Sequence, residues 1–279
     1  MTSDETQDRR SDAAGDWLDA TFSAADHELA SGLRRAIGRH ELELAFEPVV
    51  GLDDGRPVGA EALVRWRHPR RGLLRSDELL PLAERTGLIL PLGDWLFEQV
   101  CRRRAFWQRT GAVDDGFWLA VRLSSTHLDD ALLCQRIATV LARSGCRREA
   151  LVLELSDPWP ARRPGMAALQ ELGIRLAVDE LAAGRSSVAA LRELAPELIK
   201  IDPGFVRGLT TGGVDARLVG SVLVLAEAFG SIVVAQGVET RAQAARLRQL
   251  GCSLAQGFHF SPPLSEAELL ALALTRVAA

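Results

Sequence analysis

The chain has 279 residues, of which 47% are apolar and 25% charged, and its formal net charge is −4 at pH 7. This length allows one large domain or two small ones, and the slightly acidic balance provides no basic field for a nucleic-acid polymer. No apolar run reaches the roughly 20 residues that a membrane span requires. The first 20 residues contain no apolar core of an export signal, so we expect a cytoplasmic protein.

The N-terminal part of the chain predicts a tail, a helix and a β-hairpin. Residues 1–22 are polar and acidic and predict a disordered tail, which leaves 23–279 as the folded domain. Ser23 is placed to cap a helix that runs to about residue 39. A strand near 42–50 and a second strand that contains Glu61 flank a run of turn residues, which predicts an antiparallel hairpin.

Strands and helices alternate from residue 117 onward, which predicts a parallel sheet. Together with the hairpin, eight strands fit an α/β fold of the closed (β/α)₈, TIM-like type. An open doubly wound sheet is the alternative, although no glycine-rich nucleotide loop follows the first strand. The later strands are expected near 118–124, 150–155, 174–179, 197–201, 231–235 and 253–257. The helices are expected near 76–85, 93–110, 127–143, 164–172, 186–194, 213–229, 240–250 and 264–277.

Charged residues occur inside strands that are otherwise apolar. Glu61, Leu63 and Arg65 share one face of their strand because successive side chains alternate. A buried carboxylate is costly unless it meets a metal or a partner charge. Strand ends converge in a parallel barrel, so these residues predict either a functional site or a set of structural ion pairs. The polar residues near the ends of the later strands are Arg122, Glu154, Asp179, Glu180, Lys200, Gln236 and Gln256.

A series of motifs in order resembles the EAL domain, the cyclic di-GMP phosphodiesterase barrel. The likeness extends from about residue 33 to residue 270 and implies a barrel whose first strand is antiparallel. The motifs include Phe46-Glu47-Pro48-Val49-Val50, Glu61-Ala62-Leu63-Val64-Arg65-Trp66, Ile199-Lys200-Ile201-Asp202, Gly237-Val238-Glu239-Thr240 and Gln256-Gly257-Phe258-His259-Phe260.

This resemblance implies metal-dependent hydrolysis of a phosphodiester, in which two Mg²⁺ or Mn²⁺ ions neutralise the phosphoryl oxygens and activate water. Glu61, Glu154 and Asp179 match ligands of the first metal, and Asp179 with Glu180 matches the ligands of the second. Glu61 and Lys200 match catalytic residues, with Lys200 holding the attacking water. The residues expected around the nucleotide are Leu63, Arg65, Glu47, Asp179, Glu239 and Gln256.

Several positions depart from the family pattern. Arg122 replaces an asparagine ligand, and arginine cannot coordinate a cation because it stays protonated and has no acceptor. We therefore expect Arg122 to stand in for the lost metal and to pair with the acidic cluster. Gln236 replaces a glutamate, and Glu47 places an anion near an anionic ligand. Further departures are Glu180, Asp157 and the loop residues Ala182, Ala183 and Arg185.

The sequence thus predicts a degenerate EAL domain in cyclic di-GMP signalling. It would be non-catalytic, would need no metal cofactor, and would bind cyclic di-GMP, a protein partner or both. The alternatives are an active Mg²⁺- or Mn²⁺-dependent phosphodiesterase that forms linear pGpG, or a barrel repurposed for another metal-assisted hydrolysis. The resemblance also implies a possible homodimer through the loop and helix after the paired acids. Residues 1–22 are too short for a sensor domain. We therefore expect the regulatory signal to come from a protein partner, from the concentration of the ligand or from oligomerisation.

Overall fold

A computed structural model describes residues 23–156, 164–181, 188–210 and 213–275, so the predicted tail 1–22 lies outside the described residues. Within these ranges eight strands close into a barrel, and one short strand extends it. The strands are β1 (Leu42–Gly51), β2 (Pro57–His68), β3 (Gly72–Leu74), β4 (Trp118–Leu123), β5 (Leu151–Ser156), β6 (Arg175–Leu181), β7 (Leu198–Ile201), β8 (Ile232–Ala235) and β9 (Leu254–Ala255).

Helices surround the barrel, and none of those in the described ranges combines the length and the apolar character needed to cross a membrane. The predicted cap of the first helix is confirmed, since the Ser23 hydroxyl accepts a hydrogen bond from the Asp26 N–H at 3.1 Å. The helices are α1 (Ala24–Gly38), α2 (Ser76–Arg85), α3 (Ile89–Thr110), α4 (Ser125–Leu128), α5 (Leu133–Ser144), α6 (Pro164–Leu172), α7 (Val188–Leu194), α8 (Pro203–Gly208), α9 (Gly213–Phe229), α10 (Arg241–Gln249) and α11 (Glu266–Thr275).

The strand pairing confirms the closed barrel and excludes the open sheet. β1 is antiparallel to both of its neighbours, β2 and β9, whereas the pairs from β2–β4 through β8–β9 are parallel. β3 adds an antiparallel extension to the outer end of β2. The carboxyl ends of the parallel strands therefore form one rim, which is the mouth of the barrel.

One predicted helix is divided in the structure, and one observed helix was not predicted. The expected helix 127–143 is divided into α4 and α5, because the Asp130 side chain accepts a hydrogen bond from the Leu132 N–H at 2.9 Å and closes a turn. A helix that we did not predict, α8, follows β7, where Asp202 caps it and Pro203 opens its first turn. Asp202 therefore caps a helix and does not form the salt bridge with Lys200 that a purely structural role would suggest.

The barrel interior has an apolar layer directly beneath the polar residues. Because side chains alternate, the residue two positions before each polar side chain faces the same interior. These apolar residues form a buried cluster of their own, separate from the larger core between barrel and helices. Its members include Trp118, Ala120, Val152, Ala177, Leu198 and Val234.

Candidate functional site at the barrel mouth

Lys200 lies at the centre of the acidic side chains that the strand ends bring together. Its Nζ lies 2.7 Å from Glu61 Oε2 and 2.8 Å from Glu154 Oε1, and it lies 4.0 Å from Asp179 Oδ1. The lysine side chain is 2% exposed. Burial opposes its charge, but Glu154 and Glu61 outweigh this effect and raise the pKa of Lys200 above its ordinary value. Lys200 is therefore a fixed cation inside the barrel.

Arg122 and Gln236 both contact Asp179, which is fully buried. The Arg122 guanidinium donates a hydrogen bond to Asp179 Oδ2, and the Gln236 Nε2 donates to Oδ1 at 2.9 Å. The pairing of β6 with β7 shifts between Val178 and Leu181, so Asp179 lies at an irregularity of the sheet. Both carboxylate oxygens of Asp179 thus accept hydrogen bonds, one from a side chain of β4 and one from the residue that follows β8.

The two buried glutamates differ in protonation. Burial and the neighbouring Glu61 raise the pKa of Glu154 to about 8, so Glu154 is mostly protonated at neutral pH. Burial opposes ionisation of Glu61, but Lys200 and Arg122 outweigh it and lower the pKa of Glu61 to about 2. Around the protonated Glu154, the carboxylates of Glu61 and Asp179 thus contact the cationic side chains of Lys200 and Arg122.

The oxygen atoms that the described residues place at this site do not fit the coordination of a resident Mg²⁺ or Mn²⁺ ion. Hard cations require several oxygen ligands, preferably carboxylates, and here the carboxylates of Glu61 and Asp179 already contact cationic side chains. Within the described residues, the buried side-chain oxygens of the cluster that receive no hydrogen bond belong to a protonated carboxyl and two neutral amides. They are Glu154 Oε2, Gln236 Oε1 and Gln256 Oε1.

Glu47 adds a carboxyl group beside this cluster. It lies directly opposite Glu61 in the β1–β2 pairing, where like charges destabilise each other. Burial, with the charge of Glu61, raises the pKa of Glu47 from 4.5 to about 7. Glu47 is therefore poised to titrate near neutral pH at the edge of the site.

We expect Glu47→Gln to stabilise the protein at pH 8 but not at pH 4. Because the folded-state pKa is raised, the wild-type protein loses stability as the pH rises from about 4.5 to about 7. A shift of this size corresponds to up to about 3 kcal/mol. Thermal unfolding of the variant and the wild type across pH 4–9 measures the difference. Glu227→Gln, at an exposed position of α9, is the control. If the stability of Glu47→Gln and of the wild type changed with pH in the same way, the raised pKa of Glu47 would not govern this pH dependence.

The remaining predicted ligand residues lie at different depths. Arg65 is half-buried and its Nη2 donates to the Pro263 carbonyl oxygen at 3.1 Å, a partner that no sequence pattern indicates. Leu63 is half-buried and Glu239 is exposed. Gln256 is buried and its Nε2 donates to Glu61 Oε2 at 3.0 Å. The structure therefore joins Gln256 to the acidic cluster and leaves Glu239 in solvent.

A small cavity opens beside Arg122. Its volume is about 200 Å³, and its walls include Ser76, Ser124 and Ser156. The Arg122 side chain is 34% exposed, so one side of the guanidinium faces Asp179 while part of it reaches solvent. The predictions for Asp157, Ala182, Ala183, Arg185 and the Glu180 side chain concern positions outside the described residues.

Fold and site together define a (β/α)₈ barrel whose functional groups lie at the carboxyl ends of its strands. A model of the EAL domain family matches residues 30–263, and the chain belongs to this family. The predicted family and barrel type are thus confirmed.

Known relatives agree with this assignment. The chain is 34% identical over 250 residues to the bifunctional diguanylate cyclase/cyclic di-GMP phosphodiesterase MucR of Pseudomonas aeruginosa; the match covers 88% of this chain but only 36% of MucR. It is 36% identical over 260 residues to an uncharacterised Mycobacterium tuberculosis protein, covering 89% and 84% of the two chains. A solved PaMucR phosphodiesterase–c-di-GMP complex superposes with a TM-score of 0.81 at 34% identity, covering 87% of this chain and 99% of that one.

Proposed function

We propose that this chain acts in cyclic di-GMP signalling by binding the dinucleotide at the barrel mouth without hydrolysing it efficiently. The contact of Arg122 with Asp179 carries this proposal. Hydrolysis in a two-metal site needs cations that bind the phosphoryl oxygens and activate water. The Arg122 guanidinium beside Asp179 supplies positive charge, but it cannot ionise a water molecule as a bound metal ion does.

The charges around the mouth support binding of an anion. Cyclic di-GMP carries two phosphodiester charges, and guanidinium groups are well suited to phosphate oxygens. Arg65 and Arg122 are both partly accessible, and the buried carboxylates of Glu61 and Asp179 beneath them already contact cationic side chains. The ionised form of Glu47 opposes this attraction, so binding should be tighter below pH 7 than above it.

Calorimetric titration with cyclic di-GMP tests the proposal. We expect saturable binding that is the same in Mg²⁺ and in EDTA. Arg65→Ala should weaken it about tenfold or more, because a charge-assisted hydrogen bond to phosphate is lost. Arg67→Ala is the matched control, since Arg67 is on the same strand but pairs with Glu43 at 2.6 Å. If the titration produced no heat at high ligand concentration, dinucleotide binding would be rejected. The prediction that the domain binds a protein partner would then remain.

An active phosphodiesterase is the second candidate. It is favoured by the convergence of Glu61, Glu154, Asp179 and Lys200, and by the 34% identity to MucR, which is named a phosphodiesterase. Incubation with cyclic di-GMP and Mn²⁺, followed by product analysis, distinguishes the two. Multiple turnovers that Glu61→Gln abolishes would establish the enzyme. A protein partner and a homodimer stay predictions.

A further inference from the structure

Two cysteines meet in the helical layer outside the barrel. Cys101 is a fully buried residue of α3, and Cys146 lies in the loop between α5 and β5, where it is 6% exposed. Both thiols are free, and their side chains are hydrogen-bonded to each other. A disulfide requires that the two side chains point toward each other, and this pair meets that requirement.

The contacts of Arg104 place its guanidinium beside this pair. Arg104 follows Cys101 by three residues on α3, so the two side chains share one face of the helix. Its Nη2 donates a hydrogen bond to the Asp115 carbonyl oxygen at 3.0 Å. Arg147, the neighbour of Cys146, lies 4.0 Å from the Asp115 carboxylate. The loop that carries Cys146 and the guanidinium of Arg104 therefore meet at Asp115.

Arg104 is a buried cation that lacks part of its hydrogen bonding. It is 1% exposed, and its Nε donates to the Phe117 carbonyl oxygen at 2.8 Å. Nη1 is also buried and has no acceptor within the part of the chain that the structure describes. The acceptors that Arg104 does have there are neutral carbonyl groups, whereas buried charges are normally paired with an opposite charge. A thiolate at Cys146 would supply this anion.

The two thiols differ in acidity. The hydrogen bond from Cys101 and the charge of Arg104 outweigh burial and lower the pKa of Cys146 below its ordinary value, although Glu149 opposes them. The same hydrogen bond, together with burial and the charges of Cys146 and Glu98, raises the pKa of Cys101. The thiolate is the nucleophilic form of cysteine, so Cys146 is the attacking sulfur and Cys101 the resolving one.

We propose that Cys101 and Cys146 form a peroxide-responsive dithiol that closes to a disulfide between α3 and the loop before β5. Hydrogen peroxide is small and neutral, which suits a sulfur atom that is largely buried in a loop whose neighbouring residues are exposed. This pair lies outside the barrel mouth, and the proposal does not depend on the function proposed for the mouth.

The reaction has two steps. The Cys146 thiolate attacks one oxygen of hydrogen peroxide, the O–O bond breaks, and the other oxygen leaves as hydroxide, which takes up a proton to form water. The Cys101 sulfur then attacks the sulfenic acid on Cys146; the S–O bond breaks, the S–S bond forms, and the departing hydroxide takes the Cys101 proton to form a second water. The two thiols lose two electrons, which the peroxide accepts.

Peroxide treatment of the purified protein, alkylation with N-ethylmaleimide and tryptic peptide mass spectrometry test the proposal. We expect disulfide-linked peptides that contain Cys101 and Cys146, from protein that runs as a monomer on a non-reducing gel. Cys101→Ser should instead accumulate a sulfenic acid at Cys146 that dimedone traps, because the resolving sulfur is missing. Cys134→Ser is the matched control and should form the bond like the wild type, since the Cys134 thiol donates to the Gly165 carbonyl oxygen instead.

Arg104→Gln tests the origin of the Cys146 thiolate. Glutamine can keep a hydrogen bond to a carbonyl oxygen but carries no charge, so disulfide formation at pH 7 should slow about threefold to tenfold. The pH at which the rate is half-maximal should also rise, which a purely structural role of Arg104 would not produce. Arg109→Gln, at an exposed position of α3, is the control and should react like the wild type.

The wild-type result does not depend on whether any variant folds. Absence of the linked peptides after the folded wild type is treated with excess peroxide would overturn the proposal. The same rate and the same pH profile for the wild type and a folded Arg104→Gln would overturn it as well, since the reactive thiolate would then not depend on the buried cation.

Discussion

Replacing Arg122 by asparagine is expected to create a Mn²⁺ site at the barrel mouth. The substitution removes the guanidinium from Asp179 and places an amide oxygen on a strand next to Glu154. At a Mn²⁺ concentration of about a hundred times its Kd, the melting temperature of Arg122→Asn should rise by about 5–10 °C. The wild-type melting temperature should not respond to Mn²⁺. Differential scanning fluorimetry with a Mn²⁺ series measures both.

Adding Gln236→Glu to Arg122→Asn should produce a variant that hydrolyses cyclic di-GMP as well as binding Mn²⁺. Gln236 contacts Asp179 through its amide, and a carboxylate there supplies the charge that a second cation needs. Metal stabilisation of about 3 kcal/mol in the transition state would raise cyclic di-GMP hydrolysis about a hundredfold above the wild type.

Arg122→Leu is the matched control for this series. It removes the same positive charge but supplies no oxygen, so it should gain neither the Mn²⁺ response nor hydrolysis. If Arg122→Leu gained both to the same extent as Arg122→Asn, the coordination argument would be wrong. If the wild type already hydrolysed the dinucleotide efficiently, the proposed role of Arg122 would be wrong too.

Lys200→Met should destabilise the fold by about 3–5 kcal/mol, because breaking a buried ion pair leaves an uncompensated charge. Glu61 would lose its contact at 2.7 Å, and only Arg122 would remain to balance Glu61 and Asp179. The loss should be smaller at pH 5 than at pH 7.5, since protonation of the acids relieves the excess negative charge. Urea unfolding at the two pH values measures the free energy of unfolding directly.

Arg102→Met provides a matched comparison with Lys200→Met. The Arg102–Glu98 distance is also 2.7 Å, but the two side chains are 60% and 36% exposed. Exposed pairs contribute about 0–1 kcal/mol, so this variant should be nearly neutral. Similar losses for Arg102→Met and Lys200→Met would show that burial does not govern the contribution of Lys200. Combining Lys200→Met with Glu61→Gln should recover part of the stability by removing one unpaired acid.

The sequence was most informative about the site where a strand predicted from its apolar residues ends in a single polar residue. The alternation of strands and helices predicted the barrel, and the position of each polar residue near a strand end predicted that Glu61, Glu154, Asp179 and Lys200 converge. The division of the expected helix 127–143 was missed because Asp130 closes a turn that hydrophobic spacing does not reveal.

The sequence by itself determined the family, the barrel and the set of groups at its mouth, because these follow from residue types at fixed intervals along the chain. Only the tertiary structure decided the pairing inside that set. Lys200 contacts Glu61 and Glu154, whereas Arg122 contacts Asp179. Which cation contacts which carboxylate depends on strand register and on distances of a few ångströms across the barrel. Electrostatic interactions in a buried site change strongly over such distances, so the residue types alone do not determine the pairs.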